Sequence, residues 1–166
     1  MLFSRPCTYA IRALTYLAMQ PPGKLSGTQE ISAHEHIPGS FLAKVLLQVR
    51  RGRLVRSYKG IGGGYELALP PDKINLLMIV RCFEGDVPFH QCVLADRECS
   101  IHGECALHEA WIGFRDQLVC FLEGQTLAKL VQMGRDKGDF APQRGALGNP
   151  SGPPVQQSVW SSKDQS

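Results

Sequence analysis

Residues 37–71, IPGSFLAKVLLQVRRGRLVRSYKGIGGGYELALPP, determine the fold that this sequence predicts. Pro38-Gly39 forms a tight break, and Ser40 is placed to cap the helix that follows. In that helix apolar side chains recur at helical spacing: Phe41, Leu42, Val45, Leu46 and Val49. The preceding residues, 28–36, predict a shorter helix that Ser26 or Thr28 could cap. Two short helices joined by a glycine-containing turn form a helix-turn-helix pattern, although an ordinary helical hairpin would look the same.

The second half of the stretch predicts a β-hairpin. Leu54–Ser57 and Tyr65–Leu69 are the expected strands, and the glycine-rich segment Gly60–Gly64 is the turn between them. A hairpin directly after a helix-turn-helix is a wing, and this tip contains more glycines than a simple turn needs. We therefore expect the tip and its basic surroundings to lie against a phosphate backbone, with these candidate contacts: Arg50, Arg51, Arg56, Lys59, Gly60, Gly62 and Gly63.

Charge is distributed unevenly along the chain. Residues 1–75 contain ten Lys/Arg against four Asp/Glu, whereas residues 76–130 contain four against eight. A basic amino-terminal half favours a polyanion-binding module that carries a second unit. The glycines are not accompanied by a P-loop Lys-Ser/Thr or a dinucleotide-binding context, so a nucleotide site is not predicted.

The remaining segments predict mainly helix, with the hairpin as a small β element. Residues 4–19 and 74–85 have apolar helical patterns, and a long amphipathic stretch follows at residues 104–123. Its stripe is heptad-like and wider than a small monomer easily covers: Leu107, Trp111, Phe114, Leu118, Phe121 and Leu122. Pairing with a second copy in a homodimer is the favoured interpretation, and packing on its own domain is the alternative.

Three units follow from these patterns. Residues 1–75 form the winged helix-turn-helix domain, and residues 76–132 contain a linker helix, a cysteine loop and the long dimerisation helix. Residues 133–166, rich in Gly, Pro, Ser and Gln, are expected to be a disordered tail. No membrane span or secretory signal is predicted, so the expected location is cytoplasmic, where thiols stay reduced.

Residues 92–108, CVLADRECSIHGECALH, contain the candidate metal ligands Cys92, Cys99 and Cys105. Six and five residues separate them, too many for the short knuckle of a structural zinc site. The spacing favours an iron–sulfur cluster, whose sulfurs bind different irons, and leaves zinc open. A thiol enzyme using Cys99 or Cys105 is a remote alternative, since no C-x-x-C accompanies them. Cys82 and Cys120 lie in apolar helical runs and are expected to be buried structural thiols.

Over residues 1–132 the sequence resembles the Rrf-type winged helix-turn-helix transcriptional regulators, in particular the IscR-, NsrR- and RirA-like branch that binds iron–sulfur clusters. The resemblance rests on TYAIRALTYLA at residues 8–18, on residues 37–76, and on TLAKLV at residues 126–131. It implies a non-enzymatic homodimer that binds a palindromic promoter site in double-stranded DNA. The recognition helix would occupy the major groove and the wing the adjacent minor groove.

The resemblance also assigns residues. Ser40, Phe41 and Lys44 fall where the family reads bases or contacts phosphate, and Lys59 falls where many members have a wing arginine. Ala43 replaces a glutamate of IscR-like members, so the preferred DNA sequence should differ.

For the cluster, the resemblance implies that Cys92, Cys99 and Cys105 are ligands, with His108 completing a 2Fe–2S centre. A 4Fe–4S centre is less favoured, because the acidic ligand of other members is replaced by Thr8, beside which Cys7 is a weak substitute. The predicted function is transcription regulation controlled by this cluster in response to iron, nitric oxide or redox state. The alternative on the same scaffold is a zinc- or thiol-based redox regulator.

Overall fold

The computed structural model describes residues 3–85 and 107–137 of the 166-residue chain. The elements, in chain order, are α1 (Arg5–Met19), α2 (Thr28–Glu35), α3 (Gly39–Arg51), β1 (Val55–Tyr58), β2 (Gly64–Leu67), a 3-10 turn (Pro71–Lys73), α4 (Leu76–Glu84), α5 (His108–Gly124) and α6 (Leu127–Lys137). The predicted fold class, mainly helical with a small antiparallel hairpin, is confirmed. None of these helices is long and apolar enough to cross a membrane.

Helix α1 is the centre of the domain, and α2, α3, α4, α6 and β2 all pack against it. Small residues on its buried side, Ala10 and Ala13, let neighbouring helices approach closely, while Leu14 and Leu17 fill the space between them. Ser4 caps the first turn by accepting a hydrogen bond from the Cys7 N–H at 3.4 Å.

Helices α2 and α3 form the predicted helix-turn-helix, but their caps differ from the expected ones. Gly27 is the N-cap of α2, because the backbone of Ser26 is paired with Tyr65 of the wing at N···O distances of 3.0 and 2.9 Å. Helix α3 begins two residues earlier than predicted, with Pro38 at its N-cap and Ser40 inside its first turn. The predictions that Ser26 or Thr28 caps α2 and that Ser40 caps α3 are therefore wrong.

The wing is a two-stranded antiparallel hairpin in which Arg56 lies opposite Glu66 and Tyr58 opposite Gly64. Its base packs against α3 through buried Leu54 and Val55. Strand β1 is shifted one residue toward the carboxyl terminus from the predicted Leu54–Ser57, and β2 begins one residue earlier and ends two residues earlier than the predicted Tyr65–Leu69. The bridge from Tyr65 to Ser26 attaches the other strand to the chain two residues before α2. A side chain at position 64 would meet the Ser26 carbonyl oxygen at 2.7 Å, so this second attachment requires glycine there.

The carboxyl-terminal helices return to the core. Asn75 caps α4 by accepting from the Met78 N–H at 3.0 Å, and Leu122 buries one side of α5 in the core next to α4. Leu127 and Val131 bury α6 in the same core. Helix α6 ends at Lys137, so its last residues fall in the segment assigned to the tail, and residues 138–166 lie outside the described part.

Candidate nucleic-acid interface

Helix α3 presents one face to the core and the other outward. The buried face consists of Leu42, Val45, Leu46 and Val49. Ser40, Phe41 and Lys44 are all exposed, and Phe41 is exposed to 55 % although it is a large apolar residue. The predicted base- and phosphate-contacting residues therefore share an accessible surface, as a recognition helix requires.

Leu47 belongs to this outward face as well. It lies seven residues after Ser40, about two helical turns along, and 44 % of its surface is exposed. Sequence reasoning missed it because it stands in the apolar run Val45–Val49, in which the neighbouring aliphatic residues are buried. Leu47 does not fall on the helical stripe formed by the buried residues of α3, and this offset could have indicated that it is exposed. An exposed aliphatic side chain here can contact a thymine methyl group in a major groove.

At the wing tip, the glycines are required by the turn itself. Gly60 and Gly62 have φ angles of 103° and 77°, which disfavour residues with a side chain. Gly63 donates to the Gly60 carbonyl at 3.0 Å, and a Cβ at position 63 would lie 2.3 Å from the Tyr58 carbonyl oxygen. Lys59 and Ile61 are exposed beside them. The tip is thus a tight, outward-pointing turn with a basic and an apolar side chain.

The predicted arginines are exposed at two places. Arg50 and Arg51 form the last turn of α3, while Arg56 lies on the wing, where its Nη1 is 3.8 Å from Glu66 Oε1. The same Glu66 oxygen accepts a hydrogen bond from the Tyr58 hydroxyl at 2.8 Å, and this bond raises the pKa of Tyr58. Arg56 and Tyr58 thus share the Glu66 carboxylate on one face of the wing.

A polar network between distant parts of the chain positions α2, and sequence reasoning missed it. Arg12 donates through Nε to Glu35 Oε2 at 3.2 Å and through its guanidinium to the Glu35 backbone carbonyl. Tyr16 and Lys24 both donate to Glu30 Oε1 at 2.7 Å. The Lys24 contact, followed by that of Tyr16, lowers the pKa of Glu30. These bonds connect α1, or the loop after it, to α2, so the helix-turn-helix is held as a unit.

The three cysteines of the predicted cluster, Cys92, Cys99 and Cys105, lie outside the described residues. His108 is the first residue of α5 and is half-buried. Among residues 3–85 and 107–137, no three His, Cys, Asp or Glu side chains come together as a metal site.

The other cysteines differ in their surroundings. Cys7 is completely buried in the core, and burial raises the pKa of its thiol to about 12. Metal binding needs a thiolate, which this environment disfavours. Cys82 is half-buried, and burial raises its pKa too. Cys120 is exposed, so the prediction that it is buried is wrong: it lies on α5 next to exposed Phe121, away from the side that Leu122 buries.

The apolar stripe of α5 divides into two parts. Leu122 is buried in the domain's own core, whereas Leu107, Phe114 and Phe121 are exposed at intervals of seven residues. The rings of Trp111 and Phe114 stack with centroids 5.8 Å apart. Phe114 and Phe121 lie on the 17-residue helix α5, and Leu107 is its N-cap. That α5 pairs with a second copy stays a prediction.

Comparison with known proteins places these features in a family. The sequence profile of the Rrf2 family, described as an iron-dependent transcriptional regulator, matches residues 3–133. A protein of Aquifex aeolicus, provisionally named an HTH-type transcriptional regulator, is 34% identical over 135 residues, which are 80% of this chain and 93% of that protein. The HTH-type transcriptional regulator NsrR of Bacillus subtilis is 31% identical over 77% of this chain and 88% of its own length.

Solved structures agree with this match. CymR of B. subtilis, described as the global cysteine regulator, superposes with a TM-score of 0.68 at 27% identity, covering 79% of this chain and 96% of CymR. The IscR structure of T. potens superposes with a TM-score of 0.64 over 81% of this chain and 88% of its own. At 22% identity, this second likeness concerns the fold alone.

Proposed function

The chain belongs to the Rrf2 family of transcriptional regulators, and on that premise we propose that it is a homodimer whose promoter binding is controlled by an iron–sulfur cluster. DNA binding and a role in transcription follow from the family. The observation that carries DNA binding in this structure is the presence of two exposed surfaces, the outward face of α3 and the wing tip, on one domain.

In this proposal α3 enters the major groove with Ser40, Phe41, Lys44 and Leu47 facing the bases and phosphates. All four side chains are exposed on the free face of the helix. Lys59 of the wing contacts phosphate at the adjacent minor groove as a point charge. Arg50 and Arg51, in the last turn of α3, contact phosphates of the DNA backbone and do not read bases.

The exposed face of α5 supports a homodimer. Leu107, Phe114 and Phe121 repeat at the heptad interval that lets one helix pack along a second copy of itself. A two-fold axis through this pairing sets two recognition helices against two half-sites related by symmetry. A palindromic DNA site is the consequence.

The candidate ligands are of the types that bind iron–sulfur clusters. Cys92, Cys99 and Cys105 would supply soft thiolates, and His108 at the start of α5 would supply an imidazole. Cys7 does not suit the role, because its thiol is buried in the apolar core with a raised pKa. When bound, the cluster supplies a centre that reacts with oxidants and nitric oxide and depends on iron supply.

The end of α4 offers a path from this cysteine segment to the DNA-binding surface. Gln48 of α3 donates to the Cys82 carbonyl at 2.6 Å, and Glu84 Oε1 accepts from the Ser4 N–H at 3.1 Å. Both acceptors lie in the last turn of α4, which ends at Glu84, eight positions before Cys92 in the chain. A change of conformation in that segment would therefore reach both α3 and the start of α1.

The test is anaerobic purification followed by a visible spectrum, iron and sulfide analysis, and DNA binding of the cluster-loaded and cluster-free forms at one salt concentration. We expect a coloured protein with roughly two irons per chain for a 2Fe–2S centre, and a clear difference in affinity between the two forms. Equal affinities would disprove control by the cluster.

Similarity to CymR, described as a cysteine regulator, supports a second candidate on the same scaffold, a zinc- or thiol-based redox regulator. Colourless protein with stoichiometric zinc, or DNA binding that changes only with thiol oxidation, would favour this candidate.

A further inference from the structure

Ile61, at the tip of the wing, is the most exposed large apolar residue of the described chain, with a relative exposure of 111 %. Single exposed apolar residues are common on protein surfaces and need no explanation by themselves. Tight hairpin turns, however, favour Gly, Asn, Asp and Pro, and a β-branched aliphatic side chain is poorly suited to one. Ile61 is unusual because it combines this residue type with complete exposure at the end of a DNA-binding element.

The tip holds Ile61 in a defined position. Gly60 and Gly62 flank it with positive φ angles of 103° and 77°, and among the described residues nothing beyond the chain neighbours comes within 4 Å of a Cβ placed on either glycine. The turn is closed by the Gly63 N–H, which donates to the Gly60 carbonyl at 3.0 Å. The isoleucine therefore projects beyond the domain on a turn that is already ordered, so binding to a partner costs little conformational entropy.

The chemistry of the tip fits the minor groove of DNA. The groove is only about 6 Å wide, and proteins that bind it insert aliphatic or aromatic side chains between base steps, which unstacks and kinks the duplex. Lys59, two residues before Ile61, is exposed and can neutralise a phosphate at the groove edge. An apolar side chain at the tip and a cation beside it are the two components that such an interaction needs.

On the basis of the proposed DNA-binding function, we propose that Ile61 enters the minor groove as an apolar wedge at a base step next to each half-site. The wedge gives the protein a preference for pyrimidine–purine steps such as TA and CA, which unstack more easily than other steps. Specificity at this position then arises from the deformability of the DNA, without a hydrogen bond to any base.

The experiment compares Ile61→Leu with Ile61→Asn in the full-length protein. Leucine and asparagine have nearly the same shape and opposite polarity, and both replacements leave the charge unchanged. Because Ile61 is fully exposed, thermal unfolding of both variants should match that of the wild type. The probe is a duplex selected from a random-sequence library by the wild-type protein, in whichever cluster state binds DNA.

We expect Ile61→Asn to bind this duplex about tenfold more weakly, because a polar amide cannot replace the apolar side chain in the wedge. Ile61→Leu should stay within about twofold of the wild type. The dependence of affinity on salt should be the same for all three proteins, since no phosphate interaction is removed.

The wedge itself is tested with 2-aminopurine placed at the step beneath the wing. Wild-type protein should raise its fluorescence by unstacking the base, and Ile61→Asn should not. Replacing a TA step there by an AA step should weaken wild-type binding roughly fivefold and leave Ile61→Asn unaffected. Equal affinities of wild type and Ile61→Asn, or unchanged fluorescence with the wild type, would overturn the wedge. If the wild type selects no duplex at all, DNA binding itself is disproved, so the two failures are distinguishable.

Discussion

The side-chain amide of Gln48, in the recognition helix, donates to the backbone carbonyl of Cys82, in the last turn of α4, at 2.6 Å. The two residues are 34 positions apart in the chain. This bond, together with the close approach of the Cys82 sulfur to Gly52, fixes the carboxyl end of the recognition helix to the element that precedes the cysteine-containing segment.

Gln48→Ala should therefore weaken the coupling between cluster and DNA. A single hydrogen bond contributes about 1 kcal/mol, so we expect the ratio of DNA affinities of the cluster-loaded and cluster-free forms to shrink roughly fivefold. Fluorescence anisotropy with a labelled operator measures both affinities. Ser40→Ala is the control, because it should weaken both forms equally; an unchanged ratio in Gln48→Ala would contradict the path through α4.

Lys59→Ala should reduce DNA binding by removing one phosphate interaction per subunit. The slope of log affinity against log salt should fall by about 1 for each phosphate interaction removed, or about 2 for a dimer. The matched control is Lys129→Ala, which removes the same charge from α6, where Lys129 donates to the Gly124 carbonyl at 2.6 Å. If both variants show the same salt slope as the wild type, the wing does not bind phosphate through Lys59.

Phe121→Asp should convert the protein to a monomer. Phe121 is 57 % exposed on the apolar face of α5, and a carboxylate there would place two like charges in the homodimer interface. Sedimentation equilibrium measures the change, and operator affinity should fall with it because two half-sites are no longer bound together. Phe41→Ala provides the comparison: Phe41 is similarly exposed, at 55 %, but lies on α3, so the dimer should survive while DNA binding weakens.

Gly63→Ala should distort the wing. The added Cβ would lie 2.3 Å from the Tyr58 carbonyl oxygen, a clash that only a backbone shift can relieve. We expect at least roughly a tenfold decrease in operator affinity with little change in the thermal stability of the helical core. Gly124→Ala, at the end of α5, meets nothing within 4 Å and should leave operator affinity unchanged. Normal binding by Gly63→Ala would mean that the wing adapts or is not used.

Replacement of Cys7 and of Cys92 by alanine should have opposite effects on the visible spectrum of the cluster. Cys7→Ala removes a buried thiol and should lower stability by about 1 kcal/mol, while the visible spectrum of the cluster-loaded protein is retained. Cys92→Ala should abolish that spectrum. Loss of the visible spectrum in Cys7→Ala, with the fold intact by circular dichroism, would indicate that Cys7 is a cluster ligand.

The wing and the recognition helix could be predicted because their signals are local. The glycines at positions 60–64 and the apolar spacing from Leu42 to Val49 follow directly from turn geometry and helical periodicity. The cap of α2 was mispredicted because tertiary pairing decides it: Ser26 is bonded to Tyr65, 39 residues later in the chain. The Arg12–Glu35 interaction spans 23 residues and has no local signature.

Exposure within an apolar helical run was the least predictable property. Leu47 and Cys120 both stand among aliphatic neighbours, and only the packing of the other helices determines that they face outward. In α5 the sequence indicates a stripe, but the division between Leu122, buried in the core, and Phe121, exposed beside it, depends on where α4 lies.

The bridge between Ser26 and Tyr65 has a mechanical consequence. A hairpin joined to its domain only at the base could swing on its own, whereas this one is attached through both strands, to α3 by Leu54 and to the start of α2 by Ser26. The recognition helix and the wing must therefore move together as one unit. In the proposed homodimer a signal can then change only the separation of the two units, each formed by one wing and its recognition helix. An operator whose half-sites are moved one base pair apart should therefore distinguish the two signalling states more sharply than any change within a half-site.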